Sequence, residues 1–298
     1  MKKKILRRVV AVGTTALVVV GAVAMFAGCT TSNNPEVTIT YTFNGEDYEV
    51  DYILSRVDAP KTVQHFIELA DAGFYDGLVV HDYQDYTIKT GGYRLEEGEL
   101  VEIDYLETVK ALEADGASFT QSVWADEART IPLYSVYGEF SANGVEQENG
   151  KEYRHQAGAL VMYYTDKGNG NEQVWVQRAD GGSGNDGQEY QQLKYATNST
   201  TSLFYTFTGE SRTEADSTYC VIGMAKDYAG QMTDGLLAAI AEYEDSLSEE
   251  ETFTTTLENQ RLNAYDYFPS IRTAGLEATF ETPIEMPILI KSVEVTKY

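Results

Sequence analysis

Apolar and polar positions alternate through Val37-Thr-Ile-Thr-Tyr-Thr-Phe43, with β-branched and aromatic residues at the apolar places, which predicts a half-buried strand. Asn44-Gly45 follows as a hairpin turn signal, so Tyr48 to Leu54 is predicted as the partner strand. The period then changes. Pro60 suits the first turn of a helix, and Val63, Phe66, Ile67 and Ala70 form an apolar stripe at helical spacing that ends at Gly73. Further helices are predicted over roughly Ile103 to Ala114 and Met232 to Leu247, among several short strands. A mainly β protein, an antiparallel barrel with two packed helices, fits this distribution.

The N-terminus follows another pattern. Five basic residues (Lys2, Lys3, Lys4, Arg7, Arg8) precede an apolar run from Val9 to Ala27, and Phe26-Ala-Gly-Cys29 closes it with small residues before a cysteine. These are marks of an export signal. The tetrapeptide resembles a bacterial lipobox, which implies a signal peptide over 1–28 and a lipid-anchored Cys29 as the first mature residue. The other reading is an uncleaved anchor, since the apolar run is about long enough to span a membrane. Either one puts the domain on the extracytoplasmic side of the cell membrane. Residues 29–36 are polar and without periodicity, and read as a linker to a domain over 37–298.

Losing residues 1–28 removes five basic residues and no acid, which leaves 17 basic against 47 acidic residues, net −30. That balance opposes nucleic acid, whose phosphates need Lys and Arg. It also repels anionic lipid, so contact with the membrane is expected only through Cys29. Apart from the lipid-bearing Cys29, Cys220 is the one cysteine left; it lies in an apolar strand and reads as a small buried hydrophobe. His65, His81 and His155 are separated and lack zinc-ligand spacing, and the Gly/Asp/Asn-rich loops 166–171 and 180–187 lack the ligand order of a calcium loop. No metal or cofactor is expected.

Several motifs recur in a recognisable order. Ala59-Pro-Lys-Thr, His65-Phe66, Gly73-Phe-Tyr-Asp-Gly77, His81 and Tyr86-Thr-Ile-Lys-Thr-Gly-Gly92 resemble the opening of cyclophilin-type peptidyl-prolyl isomerases. Downstream, Gly138-Glu-Phe-Ser-Ala-Asn-Gly144, His155 to Met162, Ser202-Leu-Phe-Tyr-Thr206, Tyr219-Cys-Val-Ile-Gly223 and Pro287 to Val295 are similar to later blocks of that family. The resemblance implies a closed antiparallel cyclophilin-like β-barrel and prolyl cis-trans isomerisation of polypeptide clients. Three segments are longer than a minimal member needs: 93–135, 165–200 and 228–286. Trp124 and Trp175 lie in them and read as packing anchors, although an exposed Trp175 amid Val-Trp-Val-Gln would hint at a binding edge.

Turning an Xaa-Pro bond needs neither nucleophile nor metal. The barrier of roughly 18–20 kcal/mol comes from amide resonance, so a catalyst binds the twisted amide and places a donor near the proline nitrogen. By resemblance, the family guanidinium that supplies this donor falls on Asp82, the first family Gln on Lys89 or Thr90, and the second on Leu203. The proline pocket falls on Tyr86, Met162, Tyr205 and Tyr219. A carboxylate offers only acceptors at neutral pH, so the resemblance also implies a degenerate site in which a Tyr hydroxyl such as that of Tyr86, or Lys89, would donate in the guanidinium's place. The rival is a lipoprotein that binds polypeptides or an envelope partner without turnover. His81 reads as a framework residue. A transporter's solute-binding lipoprotein fits the anchor but not the pattern, which lacks regularly alternating strands and helices.

Overall fold

The computed structural model describes residues 34–140, 143–145, 147, 156–164, 173–178, 187–194, 200–209, 220–261 and 277–298. The chain opens with β1 (Glu36–Phe43) and β2 (Glu46–Leu54), then α1 (Pro60–Asp71), β3 (Asp82–Gln84), β4 (Thr87–Thr90), β5 (Tyr93–Glu96), β6 (Glu99–Glu102) and α2 (Tyr105–Ala114). After these come β7 (Val123–Trp124), β8 (Ala159–Tyr164), β9 (Gln173–Gln177), β10 (Tyr190–Lys194), β11 (Thr200–Phe207) and β12 (Cys220–Ala225). A π-wound segment, α3 (Tyr228–Leu237), runs into α4 (Ala238–Ser246), and β13 (Thr255–Arg261), β14 (Glu277–Thr282) and β15 (Leu289–Lys297) complete the order.

The β1–β2 hairpin forms over eight paired positions, and its turn places Asn44 at φ 50° and Gly45 at φ 82°. Two consecutive positive φ values are what an Asn-Gly hairpin turn supplies cheaply. Helix α1 begins at Pro60 without a side-chain cap on Ala59, and buries Val63, Phe66, Ile67 and Ala70 together with Thr62, His65 and Leu69. Phe66 meets Tyr75 at 5.2 Å and Phe204 edge-on at 5.4 Å, so this helix is the plug of the main core. Helix α2 starts two residues later than its apolar pattern, because Asp104 accepts a hydrogen bond from the Glu107 N–H and caps it. The third predicted helix begins earlier instead, at Tyr228, where Asp227 accepts from the Gly230 N–H.

Eight strands form one curled antiparallel sheet in the order β15-β1-β2-β12-β8-β11-β4-β3. This corrects the expectation of a closed barrel. The sheet is a half-barrel whose ladder stops at β3, a strand of three residues too short to carry a ladder back to β15. What spans the gap is irregular: an isolated bridge between Val79 and Leu289, and backbone bonds from Val80 N to Ile288 O and Ile290 N to Leu78 O. The expectation of two packed helices is likewise exceeded, since α1, α2 and the continuous α3–α4 run all bury residues in the main core. Separate two-stranded sheets pair β5 with β6 and β13 with β14, and β10-β9-β7 make a three-stranded sheet.

Candidate active site

Strand registry builds the site. Asp82 of β3 lies opposite Lys89 of β4, Lys89 opposite Tyr205 of β11, Tyr205 opposite Val161 of β8, and Val161 opposite Val221 of β12. Directly opposed residues share a face, so these five form one row across four strand junctions. Their neighbours Ala159 and Phe207 join Tyr205, Val161 and Val221 in a small buried cluster. The next row points the other way: Phe204, Met162 and Cys220 pair in register and belong to the main core. Period-two alternation therefore separates Tyr205 from Met162, and Leu203 also packs in the main core at 6% exposure.

Asp82 is 1% exposed, yet its carboxylate is fully engaged. Lys89 Nζ donates to Oδ2 at 2.6 Å, Gln84 Nε2 lies 3.0 and 3.1 Å from the two oxygens, and the Glu281 backbone N–H donates to Oδ1 at 3.0 Å. The last bond crosses from the sheet edge to β14, and so does with a side chain what the ladder leaves undone. Lys89 keeps 26% of its side chain exposed. An ammonium carries three N–H donors, and one of them points at Asp82.

Tyr86 sits on the β3–β4 turn, 53% exposed, with its carbonyl accepting from the Thr208 N–H. Its ring lies where a side chain on Gly209 would stand, 2.7 Å from a Cβ placed there. Tyr205 is 3% exposed and packs edge-on to Phe207 at 5.4 Å. Cys29, Tyr219 and His155 fall outside the described residues.

His81 is a framework residue. It packs between Tyr93 at 4.6 Å and Phe280 at 4.9 Å, and burial together with the charge of Lys89 holds its imidazole down to about 3. Burial likewise holds His65 down to about 4; its Nε2 lies 3.0 Å from the Thr201 carbonyl and 3.3 Å from the Tyr105 hydroxyl. Cys220 is fully buried, and burial raises its thiol well above the usual range, which leaves no reactive thiolate. Among the described residues no three His, Cys, Asp or Glu side chains gather as a metal site.

Two partners of the site had little or no signal in the sequence. Gln84 stands two residues from Asp82 and so on the same strand face, which alternation makes readable. Glu281 lies 199 residues away and contributes a backbone N–H, for which no side-chain pattern exists. Glu139, from the Gly138-Glu-Phe140 block, serves the framework, since its buried carboxylate accepts from Thr62 N at 2.8 Å, Thr62 Oγ1 at 2.9 Å and Lys61 N at 3.3 Å. It thereby caps α1 from a distance, where Ala59 offers nothing.

Residues 38–176 match the family described as cyclophilin type peptidyl-prolyl cis-trans isomerase/CLD. Over this stretch the chain is similar to the cyclophilin-type isomerases. The match spans the Asp82–Lys89 pair, β8 and the α1 plug, and ends inside β9. Among solved structures, a Cryptosporidium parvum cyclophilin type peptidyl-prolyl cis-trans isomerase is similar at 13% identity and a TM-score of 0.38, over 89% of this chain and 99% of that one. The same enzyme in the presence of the dipeptide Ala-Pro gives 13% identity and a TM-score of 0.38, over 88% and 99%. No curated protein matches the chain. Within the matched stretch, the position where the resemblance expects a guanidinium holds a buried carboxylate that anchors a lysine.

Proposed function

We propose that this protein is a peptidyl-prolyl cis-trans isomerase in which Lys89 supplies the donor. One observation carries the reading: a partly exposed ammonium, fixed by Asp82 at 2.6 Å, stands directly opposite Tyr205. A proline carbonyl and ring laid along Tyr86 and the Lys89–Tyr205 row would bring the imide nitrogen within reach of the remaining ammonium protons. A hydrogen bond to that nitrogen competes with amide resonance, which is the source of the barrier. Asp82 acts here as a positioning residue. It also neutralises part of the ammonium's field, so turnover is expected to be slow beside a site with a free guanidinium.

The substrates are proposed to be Xaa-Pro segments of exported polypeptides, met by a protein tethered through lipid on Cys29 outside the cell membrane. The basic start, apolar run and Phe26-Ala-Gly-Cys29 boundary support this placement. Mass spectrometry of the mature N-terminus should show a diacylated Cys29, and a chain retaining residues 1–28 would overturn it.

A second reading, binding without turnover, is favoured by one observation: Tyr205 is 3% exposed, so a proline ring reaches its face only if the surroundings give way. NMR exchange spectroscopy on a single-proline peptide separates the two. Exchange should be accelerated by the wild-type chain and lost in Lys89→Met. Acceleration that survives Lys89→Met would remove the lysine from the mechanism.

A further inference from the structure

Asp82 holds a second side chain beside Lys89. Gln84 stands two residues along β3 and therefore on the same strand face, opposite Thr87, which in turn lies opposite Phe207. Thr87 and Phe207 form the row next to Lys89 and Tyr205, so Gln84 borders the proposed proline site on the side of the β3–β4 turn.

The carboxylate fixes which way the amide points. Gln84 Nε2 lies 3.1 Å from Oδ1 and 3.0 Å from Oδ2, and Lys89 Nζ donates to Oδ2 at 2.6 Å. A carboxylate paired with an ammonium only accepts, so the end of the amide that meets it is the NH2 group. The carbonyl oxygen, Oε1, therefore turns away from Asp82, on a side chain that is exposed. Donation to an anion polarises the amide and makes Oε1 a better acceptor.

Asp82 gains little from this bond. Its two oxygens already receive Lys89 Nζ and, at 3.0 Å, the Glu281 N–H. Holding a long exposed glutamine in one rotamer costs conformational freedom, while water would serve its NH2 group nearly as well. Support of the carboxylate is a weak reason for the arrangement; presentation of an acceptor is a stronger one.

One carboxylate oxygen thus sets a donor and an acceptor side by side, the Lys89 ammonium and Gln84 Oε1. A proline can answer only the first, since it has no N–H. The second matches the N–H of a residue next to the proline, about 3.8 Å along the chain. We infer that Gln84 is a substrate-binding residue of the Lys89 site, whose Oε1 accepts the backbone N–H of a residue flanking the substrate proline. The site so selects an isolated proline over one followed or preceded, on that side, by another proline. The inference rests on the isomerase reading for where the proline lies.

The test titrates the full chain by NMR with three forms of the peptide Ala-Ala-Pro-Ala: unmodified, N-methylated on the residue before proline, and N-methylated on the residue after it. One of the two N-methyl forms should bind the wild-type chain about threefold to tenfold more weakly, the scale of one hydrogen bond. Gln84→Ala should bind the unmodified peptide as weakly as that form and no longer tell the two apart. Gln84→Lys keeps a donor for Asp82 but has no acceptor, and should behave like Gln84→Ala, which support of Asp82 alone would not produce. Equal binding of all three peptides by wild type, discrimination that survives in Gln84→Ala, or wild-type binding in Gln84→Lys overturns the inference. Cis-trans exchange is read on the same samples. Discrimination without accelerated exchange supports Gln84 and removes only the isomerase reading, accelerated exchange without discrimination removes only Gln84, and a chain that binds none of the peptides overturns both.

Discussion

Replacing Asp82 by Ala tests how the open edge of the half-barrel is held. The carboxylate accepts from Lys89, Gln84 and the Glu281 N–H, and only the first two partners have ready access to water, Lys89 at 26% exposure and Gln84 exposed. Losing the acceptor of the half-buried Glu281 N–H costs about 2 kcal/mol, as for a bond to a charged group. The Lys89 pair, discounted because the lysine is partly solvated, adds about 1 kcal/mol, and Gln84 rehydrates at little cost. Asp82→Ala should therefore lower unfolding stability by about 3 kcal/mol in urea with an unchanged m-value. Asp82→Asn retains an oxygen for Glu281 but turns an amide donor toward Lys89, and should cost about half as much. Hydrogen exchange at the Glu281 amide gives a local reading, and should quicken in Asp82→Ala before exchange in β1 or β2 does. A loss below about 1 kcal/mol, or unchanged protection of Glu281, would refute the edge-clamp argument.

Two further perturbations follow from the buried polar groups. His81 and His65 have folded values near 3 and 4, below the ordinary 6.5, so the unfolded chain binds more protons on the acid side. Their contribution is fully present above about pH 6.5 and is lost as pH falls toward 4, at up to about 1.4 kcal/mol per pH unit for each histidine. His81→Phe should flatten that slope by one proton in pH-dependent urea melts, whereas an unaltered slope would contradict the neutral, buried assignment. Glu139→Ala strips the acceptor from Lys61 N and Thr62 N and should cost about 2 kcal/mol in the same melts, with Glu139→Gln recovering part of it.

The local elements of this fold are readable from the chain because local rules decide them. Asn44-Gly45 dictates its turn, Pro60 its helix start, and the alternation of Val37 to Phe43 its strand. Closure of the barrel is not local. It depends on whether Asp82 to Gln84 is long enough to ladder back to β15, and on a bond between residues 82 and 281. The resemblance places Asp82, Lys89 and Tyr205 in one motif set, and the registry aligns them in one row. It also groups Met162 with Tyr205, which β8 and β11 separate onto opposite faces. The ion pair itself leaves a faint trace, a carboxylate and a lysine on adjacent strands of a hairpin, but its burial comes from β14, far along the chain. That Trp175 stands opposite Trp124 is seen only once β7 pairs with β9.

The most direct test of the central claim is magnetisation exchange between cis and trans forms of an Ala-Pro peptide, with the full chain at a catalytic concentration. Uncatalysed interconversion takes tens to hundreds of seconds at 25 °C. The account predicts cross-peaks that build up on a scale of about a second in the presence of the wild-type chain and vanish in Lys89→Met. Peptide lines that broaden on binding while exchange stays at its uncatalysed rate would contradict it, and would leave a protein that holds polypeptides without turning them.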